Sequence, residues 1–275
     1  MVDKDEWQGR TGDIWAAEWR RTDRSFSLLT EKLIGRIGGS GFFRALDIGC
    51  GAGELSLALA RGQAGAEVTG IDVSKQLIAV ACNRASNLGN VEFVCADAAN
   101  WQTHQNGPKY DVMASRHGVM FFADPVAAFT NLARQCKQGA KLVFSCFRNI
   151  GENPAFFEML RLLPQMPPAP EPGEPGPFAF ADPNRVTPFL RSAGWDDIDF
   201  TLFDFPMIFG AGADPVEDAV SYFSQIGPLA RVAREMDNAT RDRLLERVRQ
   251  LAARHCHEGI VTLQAGAWIV SARRQ

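Results

Sequence analysis

Three short stretches combine residue types that could hold a polar ligand. Residues 45–54 read ALDIGCGAGE, residues 70–74 read GIDVS and residues 91–101 read VEFVCADAANW. In the first, Gly49, Gly51 and Gly53 alternate with other residues just after an apolar run. Glycines there permit a sharp turn and let a ligand approach backbone that carries no Cβ. The helix start that follows offers unpaired N–H groups, which favour an acceptor-rich ligand. Asp72, roughly twenty residues on, can accept hydrogen bonds from both hydroxyls of a ribose. Asp97 stands at the end of a third apolar run. A dinucleotide fingerprint, G-x-G-x-x-G, wants a further glycine. The sixth position is instead Glu54 counted from Gly49, or Ser56 counted from Gly51. Asp47 would also repel a pyrophosphate lying against that loop.

Positioning these groups requires strands that end where the acids stand. The pattern predicts strands over 42–48, 66–71, 91–95, 110–115 and 141–147, with helices over 53–61, 74–85 and 125–136 between them. Such alternation predicts an α/β fold, a doubly wound and mostly parallel sheet with helices on both faces. Before it, one apolar stripe through Trp15, Trp19, Phe26, Leu29, Leu33 and Ile37 predicts a helix over 13–37. After it, seven prolines at 164, 167, 168, 170, 172, 175 and 177 exclude a persistent helix or central strand. A helix capped by Asp182, a strand over 198–205, helical residues 214–257 and a strand over 260–272 complete the chain. The expected organisation is an N-terminal helical lid (1–41), a core (42–148), a Pro-rich insertion (149–181), a helix and strand returning to the core (182–206), a helical insertion serving as substrate lid or dimer contact (207–258) and a last strand (259–275).

With 275 residues, 46% hydrophobic and 22% charged, the chain is ordinary globular material. A net charge of −3 argues against a nucleic-acid binder. There is no apolar run of membrane-spanning length and no basic, apolar leader, so a cytoplasmic protein with no membrane partner is expected. Cys50, Cys82, Cys95, Cys136, Cys146 and Cys256 show no CxxC spacing and are expected to be reduced. His255, Cys256, His257 and Glu258 are read as a helix end rather than a metal site, because successive helical side chains diverge; no metal is expected.

Asp47, Gly49, Gly51, Gly53, Asp72 and Asp97, with YDVMASRHGVMFFADP at 110–125, resemble the class I S-adenosylmethionine-dependent methyltransferases. The C-terminal GPFAFADPNRV (176–186) and VTLQAGAWIVSARR (261–274) are similar to a bacterial small-molecule branch of that family. The resemblance implies a Rossmann-like, seven-stranded sheet whose last strand is antiparallel, with terminal helical additions forming a lid. It implies S-adenosylmethionine as cofactor. The loop from Gly49 through Cys50 and Gly51 to Gly53 would lie along its methionine part, with Asp47 near the ammonium. Asp72 would take the ribose, Val73 the adenine face, Asp97 the adenine amino group, the Ala98 N–H a ring nitrogen, and the Ser115 carbonyl would face the methionine end. Arg20, Arg21 and Arg24 are candidates for the cofactor carboxylate.

The function implied is methyl transfer to a small, hydrophobic or aromatic acceptor by in-line displacement, in a monomer or homodimer. Because the sulfonium methyl is already activated, positioning can supply much of the catalysis. His117 is the candidate base, with a limb near pH ~6.5 if it titrates as an ordinary histidine. Alternatively it lines the acceptor site, or only packs. Trp15 and Arg116 are further substrate candidates, although Arg116 could equally pair with a neighbouring acid. Two alternatives remain open: a protein that uses the cofactor for other chemistry, and a nicotinamide-dependent oxidoreductase.

Overall fold

The computed structural model describes residues 4–38, 41–103, 107–168, 170–171 and 173–275. His104 and Pro172 lie outside the described residues. Five apolar runs form parallel strands: β1 (Arg44–Ile48), β2 (Glu67–Asp72), β3 (Val91–Cys95), β4 (Tyr110–Arg116) and β5 (Cys136–Phe147). The sheet runs β3-β2-β1-β4-β5 and continues through β8 (Ile260–Arg274) to β6 (Trp195–Ala211). β8 is antiparallel to both β5 and β6, so the expected reversed last strand is present. A two-residue strand, β7 (Cys256–His257), pairs off the main path with β8. Leu46, Met113, Leu142, Phe144 and Val270 are fully buried in the middle of this sheet.

Helices α5 (Glu54–Gly62), α6 (Lys75–Arg84) and α7 (Pro125–Arg134) connect the parallel strands. Ser74 and Asp124 cap α6 and α7 by accepting from Leu77 N and Ala127 N, each satisfying an orphaned helix donor. β5 begins before residue 141, because Cys136 pairs with Tyr110 ahead of a register shift.

The predicted single helix over 13–37 is instead α2 (Arg10–Ala17), α3 (Trp19–Ser25) and α4 (Ser27–Ile37), preceded by α1 (Lys4–Gln8). Each break spans one residue, at Gly9, Glu18 and Phe26. The breaks let each segment meet a different surface. α2 packs on α6, α3 reaches β6 through Ser25 Oγ donating to Ile208 O (2.7 Å), and α4 buries Leu29, Leu33 and Ile37.

β6 is also longer than the predicted 198–205. Its pairing with β8 continues from Phe203 opposite Ala267 to Ala211 opposite Ile260, past the Phe147–Ala267 pair where β5 stops. A two-stranded ribbon therefore overhangs the C-terminal ends of the parallel strands. It carries α10 (Pro215–Gln225), α11 (Pro228–Ala233) and α12 (Asn238–Arg254). Residues 256 and 257, expected to be helical, pair with β8 through a turn in which Glu258 and Gly259 have φ of 50° and 80°. α8 (Pro154–Leu160) and α9 (Pro183–Ser192) flank the Pro-rich stretch.

Candidate active site

A cavity of about 1280 Å³ opens at the C-terminal ends of the parallel strands, beneath the ribbon and the N-terminal helices. Its lining includes Asp47, Gly49, Cys50, Gly51, Asp72, Val73, Asp97 and Ala98, so eight of the ten residues expected to bind the cofactor converge there. Gly53 and Ser115 do not line it. Gly53 has φ 88°, and a Cβ on it would lie 2.8 Å from Phe93 Cζ, so this glycine serves the packing of α5 on β3. Ser115 lies behind the cavity wall. Its Oγ donates to Ile48 O (2.7 Å) and accepts from Gly118 N (3.1 Å), tying the ends of β1 and β4 together.

The glycine loop is held from below by Asp72, which accepts from Gly51 N and Ser74 N, both at 2.9 Å. Asp97 accepts from Ala99 N at 3.0 Å. Cys50 is a buried thiol, pushed well above its ordinary range by burial. Asp47 is 1% exposed. Its Oδ2 accepts from Ser56 Oγ (2.6 Å), while Oδ1 is buried without a partner. Burial raises this carboxyl to about 6, against the Ser56 hydrogen bond and the positive charge of Arg116. An unpartnered buried carboxylate oxygen calls for a donor. The ammonium of S-adenosylmethionine meets that need, and Val73, Leu77 and Ala98 supply an apolar shelf of the kind an adenine ring requires. The donor set therefore fits this cofactor.

The opposite half of the cavity is aromatic. Phe26, Phe147, Phe156, Phe178, Phe209 and Tyr222 line it. Phe147 packs edge-on against Phe156 at 4.8 Å between ring centroids. His117 also lines this half. It is 8% exposed and has φ 61°, in the left-handed region. Its ring stacks on Phe147 (4.1 Å, 27°) and stands edge-on to Phe26 (5.4 Å). Nδ1 lies 3.3 Å from Ser145 Oγ, and Nε2 is buried without a partner. Burial, with a smaller contribution from Arg116, lowers its pKa to about 3 despite the Ser145 backbone. The expected titration near 6.5 is thus moved well down, which makes this imidazole a weak base.

Arg116, a substrate candidate that could equally pair with an acid, lines the cavity and takes the pairing. Its guanidinium pairs with Asp23 Oδ1 (2.8 Å) and donates to Thr30 Oγ1 (2.9 Å). Arg84 pairs with the other oxygen of Asp23 and packs over the Trp19 ring at 3.9 Å. The expectation for Arg20, Arg21 and Arg24 is overturned, because none lines the cavity. Arg20 lies over Trp19, Arg21 is held by Glu18 and Asp218, and Arg24 by Asp218 and Phe209 O. Trp15 does line the cavity, edge-on to Trp7, which in turn meets Phe121. His255 Nε2 faces Glu158 at 3.2 Å, and no group of three or more metal-ligating side chains occurs among the described residues. Met207 and Phe209 fall in the 207–258 segment expected to serve as substrate lid and do line the cavity, but on β6 rather than on a helix, because nothing local signals that β6 overruns the sheet.

Known proteins bear on this geometry. A ubiquinone biosynthesis O-methyltransferase of Bordetella avium is 31% identical over 160 residues, 55% of this chain and 61% of that protein. The Coxiella burnetii protein of the same description is 38% identical over 101 residues, 36% of this chain and 42% of that one. The chain thus matches roughly half the length of these curated relatives. Among solved structures, a phosphoethanolamine N-methyltransferase of Haemonchus contortus in complex with S-adenosyl-L-methionine superposes with a TM-score of 0.59 at 16% identity, covering 100% of this chain and 61% of that one. A cyclase, SpnF, superposes with a TM-score of 0.53 at 20% identity, covering 90% of this chain and 80% of that one. Both likenesses concern the fold. The family model described as a methyltransferase domain matches residues 43–194, more than half of the chain. The chain belongs to this methyltransferase-domain family, of the class I, S-adenosylmethionine-dependent type.

Proposed function

We propose that the protein transfers a methyl group from S-adenosylmethionine to a small, apolar, aromatic acceptor by in-line displacement. The observation that carries this reading is one continuous cavity with a polar half and an aromatic half. At about 1280 Å³ it exceeds the ~300–1,000 Å³ of a pocket for one ligand, leaving room for an acceptor beside the cofactor. The curated relatives are described as O-methyltransferases, which supports oxygen as the atom methylated.

The cofactor supplies an activated methyl on a sulfonium. The chain's own task is to bind, align and exclude water. In this reading Asp47 Oδ1 takes the ammonium, Asp72 the ribose diol, Val73 the adenine face, and Asp97 with the Ala98 N–H the adenine edge. Gly49, Cys50 and Gly51 line the methionine part. α1 to α3 and the insertion over 207–258 act as the cover over both ligands. Calorimetry with S-adenosylhomocysteine and with NAD tests the cofactor assignment, with binding expected for the first alone. Transfer of a labelled methyl group to a panel of hydroxylated aromatics tests the reaction. Tight NAD binding without S-adenosylhomocysteine binding overturns the reading.

A further inference from the structure

His117, whose ring lines the aromatic half of the cavity, carries a buried polar atom without a partner. Nδ1 lies beside Ser145 Oγ, while Nε2, on a ring that lines the cavity, has no partner within the protein. The ring has little freedom, since Phe147 stacks on one side and Phe26 meets it edge-on. The backbone is fixed as well. A φ of 61° on a non-glycine residue is strained and persists only where the surroundings enforce it. The next residue, Gly118, touches the glycine loop so closely that a Cβ on Gly49 would lie 2.9 Å from Gly118 Cα. His117 is thus anchored one residue from the point where β4 meets the cofactor loop.

The orphaned nitrogen restricts what can face it. An unpaired buried polar atom is costly, and the cost is relieved when a ligand group completes the pair. In one neutral tautomer Nε2 is a donor and in the other an acceptor. A hydroxyl satisfies both, because its oxygen accepts and its hydrogen donates. Ether and carbonyl oxygens satisfy only the donor tautomer.

We propose that His117 positions the methyl acceptor, its Nε2 hydrogen-bonded to a hydroxyl group of an aromatic molecule seated against Phe26 and Phe147. This rests on the methyl-transfer reading above. The oxygen–carbon bond forms as the sulfur–carbon bond breaks, and sulfur keeps the bonding pair. The hydroxyl proton leaves to solvent, since an imidazole held at about 3 does not retain it. Arg116 is the charged side chain that bears on the ring, and its own charge is held by Asp23. The residue reads the acceptor's polar group without serving as the titrating base.

The test compares 2-naphthol with naphthalene, each titrated by fluorescence into protein saturated with S-adenosylhomocysteine. The wild type is expected to prefer 2-naphthol by up to about tenfold, the worth of one buried neutral hydrogen bond. His117→Phe keeps the stacked ring, loses the nitrogen and brings the ratio near one. His117→Asn, a residue tolerated at positive φ, retains part of the preference and guards against a folding defect in the Phe variant. Labelled-methyl transfer to 2-naphthol should rise with pH as the naphthol ionises, with the same shape in wild type and His117→Asn. An unchanged binding ratio in His117→Phe overturns the proposal. So does failure of the wild type to bind 2-naphthol, or a wild-type limb near pH ~6.5 that the Asn variant lacks. Failure of the wild type to bind S-adenosylhomocysteine instead counts against the methyl-transfer reading itself.

Discussion

Asp47 and Asp72 are both carboxylates at strand ends, yet their surroundings assign them different work. Burial gives Asp47 a proton affinity in the fold well above its ordinary 3.8. The ligand-free fold is therefore relatively favoured below pH 3.8, and the penalty grows as pH rises through about 6. An ammonium at Oδ1 reverses that preference, because it pairs with the ionised form. Affinity for S-adenosylhomocysteine is then expected to fall by up to about tenfold per pH unit below 6 and to level off above it. Asp47→Asn should abolish the slope and weaken binding at alkaline pH. Calorimetry showing a flat wild-type affinity across this range would mean that no ammonium meets Asp47. Asp72 instead holds the loop, through Gly51 N and Ser74 N. Asp72→Ala removes a charged acceptor from both, each worth about 1.5–3 kcal/mol. A lower melting temperature is expected together with at least tenfold weaker cofactor binding; loss of affinity at unchanged stability would show that the loop does not depend on it. These acids were legible in the sequence because residue type and strand-end placement suffice to find them. For Arg116 and His117 the sequence left alternatives open, since the partners that decide between them, Asp23 and Ser145, are remote in sequence.

At the level of elements, the alternation of strand and helix over 42–148 was legible because the apolar runs are short and the first four close on Gly49, Asp72, Asp97 and Ser115. Legibility failed where one element's length is set by another. The breaks between α2, α3 and α4 and the overrun of β6 both answer to tertiary partners. α2 shows how tight such partnering is. Gly12 packs so closely that an added Cβ would lie 2.2 Å from Trp7 O and 2.4 Å from Ser74 Oγ. Ser74 caps α6 directly beside Asp72, so α2 sits over the cofactor half of the cavity. Gly12→Ala should lift α2 from α6. Hydrogen exchange over residues 4–17 is expected to quicken, with weaker S-adenosylhomocysteine binding and unchanged protection in the central strands. Unchanged exchange and affinity would show that α2 is not part of the cofactor's enclosure.

Across the whole molecule, the parallel strands end in the polar half of the cavity, and the β6–β8 ribbon adds Met207 and Phe209 to its aromatic half. This division follows from the general placement of ligands at the carboxyl ends of strands in open α/β sheets. A polar junction at Asp218 on α10 ties the ribbon to α3. Its Oδ2 accepts from Ala211 N at the end of β6 (3.0 Å) and pairs with Arg24 (2.7 Å), while Oδ1 faces Arg21 (3.3 Å). Nearby, Thr22 Oγ1 and Tyr222 OH lie 3.3 Å apart, a second tie between α3 and α10. Asp218 is about a quarter exposed, so solvent screens its ion pairs and the backbone N–H of Ala211 is the costlier partner to strand. Asp218→Ala should therefore cost about 1–3 kcal/mol, chiefly through that orphaned donor, and lower the melting temperature by a few degrees. Because Asp218 lies away from the glycine loop, affinity for S-adenosylhomocysteine should stay within twofold (roughly 0.4 kcal/mol). The KM for a hydroxylated aromatic acceptor should rise several-fold, since α10 carries Tyr222 and Phe223 into the acceptor half. Steady-state kinetics beside calorimetry separates the two halves. A variant that loses cofactor affinity and acceptor affinity in equal measure would show that the cavity closes as one unit, with the N-terminal helices and the ribbon helices moving together.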